Sequence, residues 1–141
     1  MVFVLRWWGG PTQMRHKPTE KLPDIEKEAR VITRAAIRAA DRLDIKNNAL
    51  AKILGLSEAT ISRMRKGTFD LTRAQKAFEL AVLLVRLYRS LDGIVAGDDE
   101  VASDWLKNEN TALGTTPLEL IQSVSGLSNV IAYLDSRRAI V

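Results

Sequence analysis

Cysteine is absent from this chain of 141 residues, histidine occurs once, and aromatic residues make up only 6%. The first absence excludes disulfides, thiolate-bound zinc and a cysteine nucleophile, and it fits a reducing cytoplasm. The second leaves His16 with no partner at metal-ligand or triad spacing. There is also no phosphate-binding glycine loop, no glycine-rich dinucleotide turn, no strand pattern and no internal repeat. The apolar head MVFVLRWWGG is about half of what spans a bilayer, and it lacks the basic start and small-residue cleavage site of a secretory signal. Asp98, Asp99 and Glu100 offer a carboxylate pair for catalysis or metal binding. Adjacent residues at a helix start point apart, however, and acids there suit the helix dipole. The expectation is a protein that is not an enzyme and has no cofactor, no metal and no membrane segment.

What the chain does have is apolar content and unevenly distributed charge. Hydrophobic residues make up 46%, enough for one modest core or two small helical ones without crosslinks. Residues 1–92 carry 18 Lys and Arg against 10 Asp and Glu, whereas residues 93–141 carry 3 against 7. The basic part suits phosphates, because each one neutralised releases condensed counterions. The acidic part is repelled from the same polyanion and suits a protein partner.

Residues 49–67, ALAKILGLSEATISRMRKG, predict two short helices around a tight turn, the helix-turn-helix that places a helix in the DNA major groove. Ala51 is small where the helices meet, Gly55 suits the left-handed backbone that ends the first, and Ser57 caps the second. Leu50, Ile53, Leu54, Leu56 and Ile61 close a shared core. With Asn47 as place one, alanine, glycine and isoleucine stand at places five, nine and fifteen, which resembles the widespread repressor pattern. The outward residues of the second helix are Ser57, Glu58, Ala59, Thr60, Ser62, Arg63, Arg65 and Lys66, small and polar first, basic last. Alanine and hydroxyls approach base edges and thymine methyls, Glu58 accepts from cytosine, and the cations suit guanine or phosphate. The bland alternative is a helical hairpin that happens to contain Gly and Ser.

Around this unit the expectation is all-α. Residues 1–23 read as a disordered basic extension with three of the four prolines, and Met14 is an alternative start to Met1. Helical period begins near Asp24, with Ile25, Ala29, Ile32, Ala36, Ala40 and Leu43 on one stripe. Arg30, Arg34, Arg38 and Arg42 form another row, either a solvated face or a basic ridge. Residues 24–70 form the helix-turn-helix domain. Residues 71–92 read as one long helix that ends at Gly93, its stripe containing Ala77, Leu80, Ala81, Leu84, Leu87 and Leu91, with Phe78 and Tyr88 beside it. It is apolar on enough sides to bridge both halves or to form a dimer seam. Residues 93–141 hold a helix capped by Asp98, a loop, and a Thr116-Pro117-x-Glu119 start to a short helix ending at Ser125 and Gly126. A last helix from Ser128 to Arg138 follows, with Val130, Ile131 and Leu134 inward and Ala139, Ile140 and Val141 as a free tail.

The stretch WLKNENTALGTTPLELIQSVSGLSNVIAYL, residues 105–134, resembles the toxin-binding domain of the Xre/MbcA/ParS antitoxin family. The matching features are Trp105-Leu106, Asn108 and Asn110, Leu113-Gly114, Thr116 to Leu120, Gly126, and Val130 with Tyr133-Leu134. An Xre-like helix-turn-helix stands upstream, so both modules and their order match over about residues 25–138. The resemblance implies an Xre-like helix-turn-helix bundle followed by a small helical toxin-binding domain. It also implies an antitoxin of a two-gene module whose partner is a RES-domain toxin that consumes NAD. Such an antitoxin covers the toxin's active-site cleft and represses the shared operon by binding double-stranded operator DNA. A homodimer, or a larger complex with toxin, is expected because one helix-turn-helix buries little DNA.

On this footing the toxin-contact residues are Trp105, Tyr133, Arg137, Arg138, Ile140 and Val141. The aromatics are interface anchors or core members, and the arginines either suit the end of a helix or enter a cleft made for an anionic dinucleotide. The chain departs from the family pattern in lacking a terminal glycine and in having Thr115 where a second glycine often stands. The rival reading is a stand-alone transcription regulator whose second half dimerises or binds another protein.

Overall fold

Helical period in the first third becomes α1, Leu22–Arg42. The computed structural model describes residues 22–140, with side chains from 24 to 139. The expectations for residues 1–21, including Met14 and His16, lie outside the described residues, as do Val141 and the side chain of Ile140. After α1 come α2, Asn47–Leu54, α3, Glu58–Lys66, α4, Lys76–Ile94, α5, Asp99–Lys107, α6, Pro117–Leu120, and α7, Val124–Ile140. The all-α expectation holds: the described residues contain these seven helices and no strand, only an isolated bridge between Asn110 and Thr115.

The long helix α4 organises the fold. Ala77, Leu80, Ala81, Leu84, Leu87 and Leu91 are all buried, with α1 packed along one side and α7 along the other. It bridges the two halves, and one contiguous apolar core runs from α1 to α7. Ala29, Ala36 and Ala40 on α1 are buried and small, so the two helices approach closely. The buried Thr33 hydroxyl donates to the Ala29 carbonyl at 2.8 Å and accepts from the Leu71 N–H at 3.0 Å, fixing the connection that leads into α4.

Several boundaries differ from expectation. The first helix begins at Leu22, so Asp24 lies in its first turn as a dipole partner and not as the cap. Helix α4 begins at Lys76 because residues 72–75 turn back, Gln75 accepting from the Thr72 N–H at 2.9 Å. Gly93 lies inside it, and Ala96 and Gly97, both with positive φ, end it. Asp98 caps α5 and Thr116 caps α6, but Glu119 reaches the Thr115 hydroxyl at 2.7 Å in place of a backbone donor. Gly126 breaks no helix. It lies in the first turn of α7, where an added Cβ would stand 1.9 Å from the Leu120 carbonyl oxygen. Ala139 and Ile140 continue α7 and are not a free tail.

Candidate functional site

The turn between α2 and α3 forms as its sequence dictates. Gly55 adopts φ 68°, and the Leu56 N–H returns to the Ala51 carbonyl at 2.9 Å. Ser57 accepts from the Thr60 N–H at 3.1 Å, so α3 starts with its first turn satisfied. Ile61 and Met64 anchor α3 in the core. At 3.6 residues per turn, Ala59, Ser62, Arg63 and Lys66 then lie on the opposite side, flanked by Glu58 and Thr60. Ala59, Arg63 and Lys66 are exposed and Ser62 half-buried, with no bulky apolar residue among them. Arg63 leans along this row, donating to Thr60 at 3.1 Å with its guanidinium carbon 5.9 Å from the Phe69 ring centre.

Arg65 does not share that surface. Its Nε donates to Asn47 at 2.6 Å, its Nη2 to the Ile45 carbonyl at 2.8 Å, and its Nη1 to Asp41, leaving the side chain 25% exposed. These bonds tie α3 to the end of α1 and the start of α2. The signal was present in the spacing: Arg65 stands four residues after buried Ile61 and so lies toward the same face.

The arginine row on α1 is divided among several partners. Arg30 and Arg34 flank Asp70, at 3.2 and 4.0 Å, and the Arg34 guanidinium lies against Gly67 at the end of α3. Arg42 turns the other way, to the Tyr88 hydroxyl at 3.3 Å and Asp99 at 3.8 Å. The bond to Tyr88 raises the Arg42 pKa further, and burial raises that of Tyr88. Two members of the acidic trio are used in the same way. Asp98 caps α5 and Asp99 accepts from Tyr88 at 3.2 Å.

In the second half, three of the expected residues come together. The Trp105 ring on α5 stacks on Tyr133 of α7 with centroids 6.3 Å apart and planes 15° from parallel. The Arg137 guanidinium carbon stands 5.8 Å from the Tyr133 ring centre, within cation–π range. Both rings are half-buried and pack on the core from its edge, which is the core-member role expected of them. Arg138 leaves this group and points to α4, where its Nη1 donates to Ser90 at 3.4 Å.

Sequence reasoning missed the polar links of the C-terminal half. Asp135 accepts from Ser90 and from Arg86, each at 2.8 Å, and the Ser90 hydroxyl first of all holds its carboxyl below the usual carboxylate range. Ser90 is buried, and its place beside Leu87 and Leu91 in the apolar stripe of α4 was the one available signal.

No described helix is long and apolar enough to cross a membrane. Residues 28–86 match the antitoxin Xre-like helix-turn-helix domain. Residues 91–139 match the antitoxin Xre/MbcA/ParS C-terminal toxin-binding domain. No curated protein matches the chain. Neither domain description names a catalytic activity. With both modules present in this order, the chain belongs to the Xre/MbcA/ParS antitoxin family and joins a DNA-binding helix-turn-helix to a toxin-binding domain.

Proposed function

We propose that this antitoxin neutralises a RES-domain, NAD-consuming toxin and represses the operon the two proteins share. The observation that carries the reading is a pair of separate polar surfaces on one core: the row Ala59, Ser62, Arg63 and Lys66 on α3, and the Trp105–Tyr133–Arg137 stack on α5 and α7. The first meets operator DNA, Ser57, Glu58 and Thr60 flanking it at the groove, while Arg65 holds the helix in place. The second meets the toxin, and Ile140 and Val141 take part in that contact. Residues 24–70 and 93–141 form the two working units, and residues 71–92 belong to both.

The antitoxin acts as a homodimer, since two half-sites supply the contact area that one helix-turn-helix lacks. Both partners place it in the cytoplasm. Co-expression with the product of the neighbouring gene tests the reading. The expected outcome is a complex that co-purifies, relief of growth arrest, and retardation of a DNA fragment from the operon's own promoter. A chain that retards the fragment but neither binds nor rescues is a regulator and not the antitoxin of that gene.

A further inference from the structure

Arg138 opens a second feature on α7, on the side away from Tyr133. Between α4 and α7 lies a cleft of about 570 Å³ lined by Arg86, Arg89, Ser90, Asp135, Arg138 and Ala139. Three guanidinium groups, two from α4 and one from α7, face one carboxylate. The carboxylate is already engaged: one oxygen accepts from the buried Ser90 hydroxyl and the other from Arg86, each at 2.8 Å. Asp135 therefore fixes Arg86 and neutralises one positive charge, and two remain. Arg138 makes a single long bond, 3.4 Å to Ser90. Arg89 is exposed and donates to no side chain among the described residues.

Each guanidinium carries five N–H donors, so most of those in the cleft are unspent. Their planar forks match tetrahedral oxyanions, and the bond from buried Ser90 to half-buried Asp135 is already made, so this side of the cleft does not have to form on binding. A carboxylate-rich partner fits less well, because a carboxylate meets the same repulsion from Asp135 as a phosphoryl group while offering the arginines two oxygens in place of three.

We propose that the α4–α7 cleft is a phosphoryl-anion site, in which Arg89 and Arg138 close on the phosphoryl oxygens and Asp135 holds Arg86 in place as the third donor. The phosphoryl group comes from a free phosphorylated small molecule or from the DNA backbone.

The test uses the full chain and inorganic phosphate. The thermal midpoint is measured against phosphate concentration, with sodium chloride at matched ionic strength as the control. The expected result is a saturable rise with phosphate and a smaller, non-saturating change with chloride. The apparent affinity for phosphate weakens about tenfold or more in the double variant R89Q/R138Q. In R138K, which keeps the charge and loses the fork, it falls to an intermediate value. Equal responses to phosphate and chloride, or an unchanged phosphate response in R89Q/R138Q, overturn the proposal.

Where phosphate binds, the source is read from the salt dependence of binding to promoter DNA. A slope of log affinity against log salt lowered by about two in R89Q/R138Q assigns the site to the DNA backbone. An unchanged slope assigns it to a free phosphorylated molecule. The phosphate titration needs no DNA, so its outcome is independent of the operator and toxin assignments.

Discussion

The Lys107 ammonium donates to the Asp44 carboxylate at 2.6 Å, joining the last residue of α5 to the turn just ahead of the helix-turn-helix. Lys46 takes the other carboxylate oxygen at 2.9 Å. The bond to Lys107, then that to Lys46, lowers the Asp44 pKa from 3.8 to about 2. A depressed acid contributes stability above its ordinary value and loses that contribution as pH falls through the folded one. The clamp is therefore complete above about pH 4 and released toward pH 2. In Lys107→Ala the carbon-detected NMR titration of the Asp44 carboxyl moves upward toward the ordinary aspartate range. An unmoved midpoint would show that Lys46 alone sets the shift.

Arg65 and Arg63 stand two residues apart on α3 and answer to different measurements. Arg65→Ala removes three bonds to Asn47, Asp41 and Ile45, one of them to an ionised group. Urea unfolding should register a loss of about 2–3 kcal/mol. Arg63→Ala and Lys66→Ala leave stability within about 0.5 kcal/mol. Each instead reduces the salt slope of promoter binding by about one if it contacts a phosphate, or relaxes base preference if it reads guanine.

Gly126 is a packing requirement. Its absent Cβ would stand 1.9 Å from the Leu120 oxygen and 2.8 Å from the Ser123 hydroxyl oxygen, and the first neighbour is backbone, which cannot swing away. Gly126→Ala is expected to force α6 and α7 apart and to destabilise the fold by about 2 kcal/mol or more, despite alanine's better helix propensity. A thermal midpoint equal to or above that of the wild type would contradict this.

Where one face of a helix meets one core, the fold was legible in the sequence. The stripes of α1 and α4, the Gly55 turn, and the Ser57, Asp98 and Thr116 caps are local consequences of period and residue type. Gly126 misled because glycine marks both a helix end and a close approach, and only the position of the Leu120 carbonyl separates the two. Asp44 with Lys107 and Ser90 with Asp135 pair residues 63 and 45 apart, which no local pattern reaches. Arg65 was legible in principle: it follows Ile61 by four residues, and counting cations along the helix without assigning each to a face put it on the wrong side.

Arg137 and Arg138 are neighbours in sequence, and α7 sends them to different sides, one onto Tyr133 and the other toward Ser90. Were toxin contact a matter of basic charge at the end of the chain, the two would be interchangeable. The stack argues otherwise, because Arg137 lies against a ring already braced by Trp105, and a preorganised guanidinium loses little freedom when a partner closes over it. Arg137→Ala should weaken the toxin complex roughly tenfold or more, with thermal stability close to wild type. Arg138→Gln should leave toxin affinity within about threefold of wild type, the spread expected for residues outside an interface centre. Trp105→Ala is less informative, since the ring also packs on the core. Titration calorimetry of the two arginine variants against the purified toxin decides the matter: equal losses would make the contact one of charge alone, and a loss confined to Arg137 would locate it on the aromatic side of α7.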